Sequence, residues 1–190
     1  MQEQEREFNF KLMKYFNELK KSMNYLAKNK KTIFIGQAVE YPGTAMTNTL
    51  SEVSSKKLYE FPVCEDFQMG TSIGLSINGF IPISIFPRWN FLLLSVNQLV
   101  NHLDKISLIS DGGYNPKVII RTGIGSERPL NPQHQHIGDF TDAFKMMLTS
   151  IEVVRLDLPE DIFPAYKLAY EREDNRSTIL VEYGDYYNEK

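Results

Sequence analysis

The chain holds few of the residues that announce common kinds of chemistry. Cys64 is the only cysteine in 190 residues, so a disulfide within the chain is impossible and a cysteine-based zinc site is excluded. No apolar run approaches the ~20 residues a membrane-spanning helix needs. The N-terminus, MQEQEREFNF, carries no signal-peptide stretch, and the expectation is a cytoplasmic protein without membrane contact. Basic residues are not in excess: the net charge of -3 gives no footprint for nucleic acid. The short run Lys28-Asn29-Lys30-Lys31 reads as cations at a helix C-terminus. Neither G-x-G-x-x-G nor GxxxxGK[ST] occurs, which removes the common phosphate loops. Asp111-Gly112-Gly113 reads as a turn. Gly123-Ile124-Gly125-Ser126 follows a strand without opening a helix, so it is a poor phosphate cradle. No base is marked beside a serine or cysteine nucleophile, and Cys64 reads as a small buried residue.

What is present fits one domain of ordinary size, with a hydrophobic share of 42% and enough length for a sizeable core. Phe8, Leu12, Tyr15, Leu19, Met23 and Leu26 recur every three or four residues and predict an amphipathic helix over 6–28. Thr32 to Ile35 reads as a short buried strand closed by Gly36, and 37–55 as a long loop with one turn of helix. Ile81 to Phe86, Lys117 to Arg121, Glu152 to Leu156 and Ser177 to Glu182 read as further strands. Helices are expected over 91–109, 139–148 and from Pro159 to about Arg172. The tail, 184–190, reads as flexible or docked on a partner. No internal repeat or low-complexity linker interrupts the chain. Short β-branched strands alternating with helices predict an α/β fold of three layers, α/β/α, with a mainly parallel sheet of about six strands. In such sheets ligands sit beyond the carboxyl ends of the strands, where the loops after Ile35, Tyr59 and Ile120 can converge.

The most informative stretch is FPVCEDFQMGTSIGLSINGFIPISIFPRWNF, from Phe61 to Phe91. Pro62 disfavours helix at Phe61, and Glu65 then stands at the start of an apolar helix. Gly70 and Gly74 share one face of that helix, and each costs about 1 kcal/mol relative to alanine. Two on one face imply that another helix or a ligand comes close to the backbone. Aromatic residues follow at Trp89 and Phe91. Further on, His134-Gln135-His136 puts two imidazoles on one side of an extended backbone, either lining a pocket mouth or lying on a surface loop. No third ligand stands near them for a metal.

At these residues the sequence resembles the pyrimidine-binding domain of transketolase-like thiamine-diphosphate enzymes. The likeness is greatest to the N-terminal half of the beta chain of 2-oxo acid dehydrogenase decarboxylase components. That family has a strand ending P-[IV]-[SC]-E followed by a helix with spaced glycines, matched by Pro62-Val63-Cys64-Glu65, Gly70, Gly74 and Gly79. Pro82, Arg88-Trp89-Asn90-Phe91 and Asn97-Gln98-Leu99-Val100-Asn101 resemble its next strand, F-A-D-[FY] and D-Q-[IL]-V-N. Asp111-Gly112-Gly113, Val118-Ile119-Ile120-Arg121 and Asn131-Pro132-Gln133-His134-Gln135 resemble its S-G-G turn, following strand and histidine loop. The likeness runs from about residue 8 to 183. The sequence departs from the family at Gln37 (in place of an acid) and at Arg88, and no C-terminal transketolase-type domain is expected in the chain.

The resemblance implies thiamine diphosphate as cofactor, with Glu65 hydrogen-bonding a ring nitrogen of the aminopyrimidine to favour its imino form. Phe91 would stack on that ring, and Trp89, Met69 and Gln37 are further implied cofactor contacts. His134 or His136 would serve the substrate, a 2-oxo acid or a ketose, as proton donor or oxyanion partner. The family's GDG…N motif, which holds the diphosphate and its magnesium, does not occur. A second chain carrying it is therefore implied, in an α2β2 hetero-oligomer with the active site at the subunit interface. The other reading is a non-catalytic interaction or regulatory module that retains the fold.

Overall fold

Six parallel strands form one sheet in the order β2-β1-β3-β4-β6-β5, where β1 is Thr32–Gly36, β2 Leu58–Glu60, β3 Ile81–Ile85, β4 Ile119–Ile124, β5 Glu152–Arg155 and β6 Thr178–Tyr183. The structure is a computed structural model that describes residues 2–41, 45–125, 127 and 131–187. Parallel neighbours cannot be joined by tight turns, so each connection crosses a face of the sheet. Burial of both faces explains why the strands are runs such as Ile-Phe-Ile and Thr-Ile-Leu-Val rather than apolar–polar alternations.

One face is covered by α1, Gln2–Ala27, and α7, Pro159–Glu171, while α2, Ala45–Asn48, is a single turn between β1 and β2. Tyr15, Leu19, Met23 and Leu26 of α1 are fully buried with Ile162 and Tyr166 of α7 against Phe34, Ile83, Ile119 and Leu180 of the sheet. Tyr25 of α1 meets Phe163 and Tyr170 of α7 edge-on, at centroid separations of 5.4 and 5.8 Å. At the far end of α7, the Lys117 ammonium donates to the Tyr170 carbonyl at 3.1 Å and to the Arg172 carbonyl at 2.5 Å. That places a cation at the negative pole of a helix.

The other face is covered by α3, Glu65–Ile77, by the segment 89–109 and by α6, Thr141–Met147. Met69, Trp89, Leu99 and Phe144 pack there against Ile120, Ile179 and Val181. The expected single helix over 91–109 is not formed. The chain instead makes short turns, α4 Trp89–Leu92, a 3-10 turn Leu93–Ser95, a π-helical stretch Gln98–Leu103 and α5 Ile106–Ile109. Two polar anchors account for the breaks. Ser95 is drawn to α3, its hydroxyl donating to the Glu65 carbonyl at 2.6 Å. Asp104 is drawn to the start of β5, where its carboxylate accepts from the backbone N–H groups of Thr149, Ser150 and Ile151.

The tail also differs from expectation through residue 187. A 3-10 turn, Gly184–Tyr187, lies on this chain's own core. Tyr186 packs edge-on against Tyr15 at 5.2 Å, and the Tyr187 hydroxyl donates to Glu182. Residues 188–190 lie outside the described part. Among the described residues no helix is long and apolar enough to cross a membrane.

Candidate active site

The strand order itself locates a crevice. From β1 the chain runs outward to β2, whereas from β3 it runs the opposite way to β4. Adjacent strands whose connections diverge in this manner leave a gap beyond their carboxyl ends. Gln37 lies one residue after β1, Glu65 opens the helix that joins β2 to β3, and Phe91 lies shortly after β3.

β1 ends on Gly36 because no other residue fits: its φ is +151°, and a Cβ would stand 2.2 Å from the Ile85 carbonyl oxygen. Gln37 emerges from this close approach, and its amide Nε2 donates to Glu65 Oε1 at 3.0 Å. Glu65 is only 3% exposed. It sits in the first turn of α3, where the helix dipole favours a negative charge. Among the described residues, its second oxygen accepts no hydrogen bond. The helix behind it is seated on β3 by a buried polar seam. Gln68 Nε2 donates to the Ser84 hydroxyl and to the Ile85 carbonyl, at 3.1 and 3.0 Å, and the Ser72 hydroxyl reaches Ser84 at 3.0 Å. Glu65 is thus a poorly satisfied carboxylate on a well-anchored helix.

Phe91 is half-buried, and its ring stacks on the imidazole of His136, with centroids 4.9 Å apart and planes 19° from parallel. Arg88 Nη1 donates to the His136 carbonyl at 3.0 Å. Burial pulls the Arg88 guanidinium below its ordinary value, with Asp185 acting in the opposite direction. The extended backbone that would set His134 and His136 side by side is not adopted. Gln133 and His136 have φ of +56° and +60°, and the Gln135 N–H turns back onto the Pro132 carbonyl at 3.2 Å. His136 therefore faces Phe91, with its Nδ1 buried and unpartnered, and His134 is exposed.

Trp89 and Met69 are fully enclosed. Trp89 packs on Phe144 with centroids 4.6 Å apart, and both side chains belong to the core under α3 and α6. They support the wall and present no surface to a ligand here. Cys64 is exposed rather than buried. Its thiol donates to Asp66 at 3.2 Å, and that contact pushes its pKa up, away from nucleophilic use. A Cβ added at Gly70 or Gly74 would meet nothing within 4 Å, so among the described residues α3 has open space at these two glycines, while Phe61 stacks on Phe67 one turn earlier. Ser126 of the glycine loop lies outside the described residues. Among the described residues, no group of three or more His, Cys, Asp or Glu side chains is placed to hold a metal ion. Sequence reasoning missed Ser95 and Glu60. Ser95 is marked only by its fold contact, whereas Glu60 carries a faint signal as an acid at a strand end five residues before Glu65.

Fold and crevice together define a three-layer α/β/α domain of the thiamine-diphosphate pyrimidine type. A family model described as transketolase, pyrimidine binding domain, matches residues 13–188, and the chain belongs to this family. It is 27% identical to the pyruvate dehydrogenase E1 component subunit beta of Gracilaria tenuistipitata var. liui, over 92% of this chain and 54% of that protein. With the mitochondrial pyruvate dehydrogenase E1 component subunit beta of Ascaris suum it shares 29% identity over 63% of this chain and 32% of that protein. The structure of a split gene transketolase in an inactive beta4 tetramer superposes with a TM-score of 0.68 at 15% identity, covering 88% of this chain and 50% of that one. The chain spans about half the length of the first curated relatives it matches, 54% and 49%.

Proposed function

We propose that this chain is the pyrimidine-binding subunit of a split, cytoplasmic, thiamine-diphosphate-dependent enzyme that acts on a 2-oxo acid or a ketose by decarboxylation or by acyl or ketol transfer. The observation that carries the reading is the buried Glu65 carboxylate, donated to by Gln37 on one oxygen and open on the other, beside the crevice between β1 and β3. That arrangement suits an aminopyrimidine, which offers ring nitrogen and amino hydrogens to a carboxylate and a flat face to an aromatic ring. When bound, thiamine diphosphate supplies a carbon nucleophile for carbonyl chemistry and an electron sink for the step that follows.

The chain's own residues do the rest. Glu65 holds and shares a proton at the pyrimidine ring through its open oxygen. Gln37 fixes the rotamer of that carboxylate by donating to the other oxygen. Phe91 offers the stacking face, and Met69 and Trp89 act from behind by packing the wall. His134, an exposed residue two positions before His136, serves the substrate as proton donor in this reading, and His136 serves beside it once it leaves Phe91. Magnesium and diphosphate are held by the GDG…N subunit of an α2β2 assembly. The bare face of α3 supports such a partner. Phe67 and Ile77 of α3 are exposed by 56% and 39%, on the side where Gly70 and Gly74 leave room for a close backbone, and Val63, just before the helix, is exposed by 76%.

The stack of His136 on Phe91 and an amide at position 37 favour a second reading, a non-catalytic module that has kept the fold. Co-expression with a GDG-bearing chain separates the two. The catalytic reading expects magnesium-dependent thiamine diphosphate binding by calorimetry, and turnover that Glu65→Gln lowers by at least ~100-fold. Turnover untouched by that change would sink the mechanism, and absence of magnesium-dependent binding would favour the module.

A further inference from the structure

Beside the candidate site stands a second carboxylate whose three bonds all go to one short loop. Glu60 ends β2, directly across the sheet from Gly36 at the end of β1. Its Oε1 accepts from the Ala38 N–H at 2.8 Å, and its Oε2 accepts from the N–H groups of Val39 and Glu40 at 2.7 and 2.9 Å. Three consecutive backbone dipoles therefore converge on one charge, in the manner of an anion nest filled from within the chain. Ala38 has a φ of +56°, a left-handed conformation that a residue with a Cβ adopts only when its surroundings impose it. The Thr47 hydroxyl donates to the Ala38 carbonyl at 2.5 Å, so this peptide is gripped at both ends. The Phe61 N–H donates to the Gly36 carbonyl at 2.8 Å and ties the two strand exits together.

We propose that Glu60 is a positioning residue, which holds the backbone of 38–40 in this conformation so that the Gln37 amide stays on Glu65. The contacts form a closed circuit. Glu60 grips 38–40, the neighbouring Gln37 donates to Glu65 at 3.0 Å, and residues 61–64 lead from Glu65 back to Glu60. The sequence shows why the job needs an acid. An alanine loop residue would not hold a left-handed φ unaided, and a carboxylate is the side chain that can accept three N–H groups at once. Because its charge is committed to the nest, Glu60 does not compete for Gln37, and Glu65 is left as that amide's partner. The functional weight of this device rests on the proposed role of Glu65, but the coupling itself is a property of the free chain.

The test uses the full chain, labelled with nitrogen-15, and needs neither partner nor cofactor. Amide exchange at Ala38, Val39 and Glu40 and the side-chain NH2 signals of Gln37 are followed in wild type, Glu60→Ala and Glu60→Gln. In Glu60→Ala, protection at 38–40 should fall by about tenfold or more, and the Gln37 NH2 signals should move to the positions of a free glutamine side chain. Glu60→Gln, which keeps one acceptor oxygen and guards against misfolding of the alanine variant, should restore part of both. Signals of Gln37 that stay in place when protection at 38–40 is lost would overturn the proposal. A second arm measures thiamine diphosphate affinity of the reconstituted pair for Glu60→Ala, Gln37→Ala and the double variant. If Glu60 acts through Gln37, the double variant should bind no more weakly than the weaker single variant, and additive losses would count against it. Should the pair bind no cofactor at all, the reading of Glu65 fails, and the nitrogen-15 result still decides the role of Glu60.

Discussion

Glu65 and Glu182 are both buried glutamates beside the same sheet, and they are treated in opposite ways. Glu182 is fully enclosed. Arg121 donates to it through Nε at 2.5 Å and through Nη2 at 3.0 Å, and the hydroxyls of Tyr166 and Tyr187 donate as well. Each oxygen thus receives two donors, one of them charged. Burial, with the Glu182 charge behind it, holds the Tyr166 hydroxyl well above the usual phenol range, so it remains a donor. Glu65 has a single side-chain donor, uncharged, and one open oxygen. A carboxylate that serves structure is saturated by the fold, whereas one available to a ligand is left short of partners. The largest effect that could break the comparison is at Glu182. Its replacement by alanine leaves the Arg121 guanidinium buried and unpaired, with an expected loss of about 3–5 kcal/mol in urea unfolding. A loss under ~1 kcal/mol would show that the pair is not the anchor described.

Asp104 extends the comparison to a third carboxylate. Its side chain is fully enclosed and receives the N–H groups of Thr149, Ser150 and Ile151, two hydroxyls and the Lys105 ammonium. Burial alone would raise its pKa, but Lys105, Ser150 and Thr149 outweigh burial and hold it far below the usual carboxylate range. With the folded value depressed, the stability it contributes is present above the unfolded value of about 3.9. It is lost as pH falls from there toward the folded value, because the unfolded chain binds the proton first. Asp104→Asn should therefore cost about 1–3 kcal/mol at pH 6. The gap between variant and wild type should narrow in unfolding experiments at pH 3. A gap independent of pH would remove the charge from the explanation.

Such contrasts mark what a sequence can disclose. The alternation of β-branched runs with 3.6-period helices was enough for the layered parallel fold, since both signals are local. Pro62 to Gly79 was enough for Glu65 at the head of α3, since strand exit and helix start are fixed by neighbouring residues. The route of 89–109 was not legible. Its apolar content suits one helix, and the breaks come from Ser95 and Asp104 reaching partners 30 and 45 residues away. Trp89 and Phe91 look alike as aromatics, yet the turn of α4 sends one into the core and leaves the other half-exposed. Arg121 and Glu182 are also remote from each other, 61 residues apart, and belong to strands that only the sheet order makes neighbours. The tail is a mixed case. The Tyr187 hydroxyl donates to Glu182 only five residues earlier, but Arg121 and Tyr166 hold that carboxylate from other elements.

The smallest stability effect is expected at Glu65 itself, and it sharpens the comparison most. Glu65→Gln keeps the shape of the side chain and an oxygen for the Gln37 amide. It removes a charge from the first turn of a helix, a contribution of about 0.3–1 kcal/mol, and breaks no ion pair. The surrounding seam of Gln68, Ser72 and Ser84 does not depend on the charge, nor does the bond from Ser95 to the Glu65 carbonyl. Unfolding of the variant should therefore stay within about 1 kcal/mol of wild type, on the same material in which Glu182→Ala loses several times as much. A large destabilisation would mean that the fold leans on the Glu65 charge, which would make it a structural group like Glu182. Near-equality, taken with loss of turnover in the reconstituted pair, would place the two glutamates on opposite sides of the division between holding the molecule together and doing its chemistry.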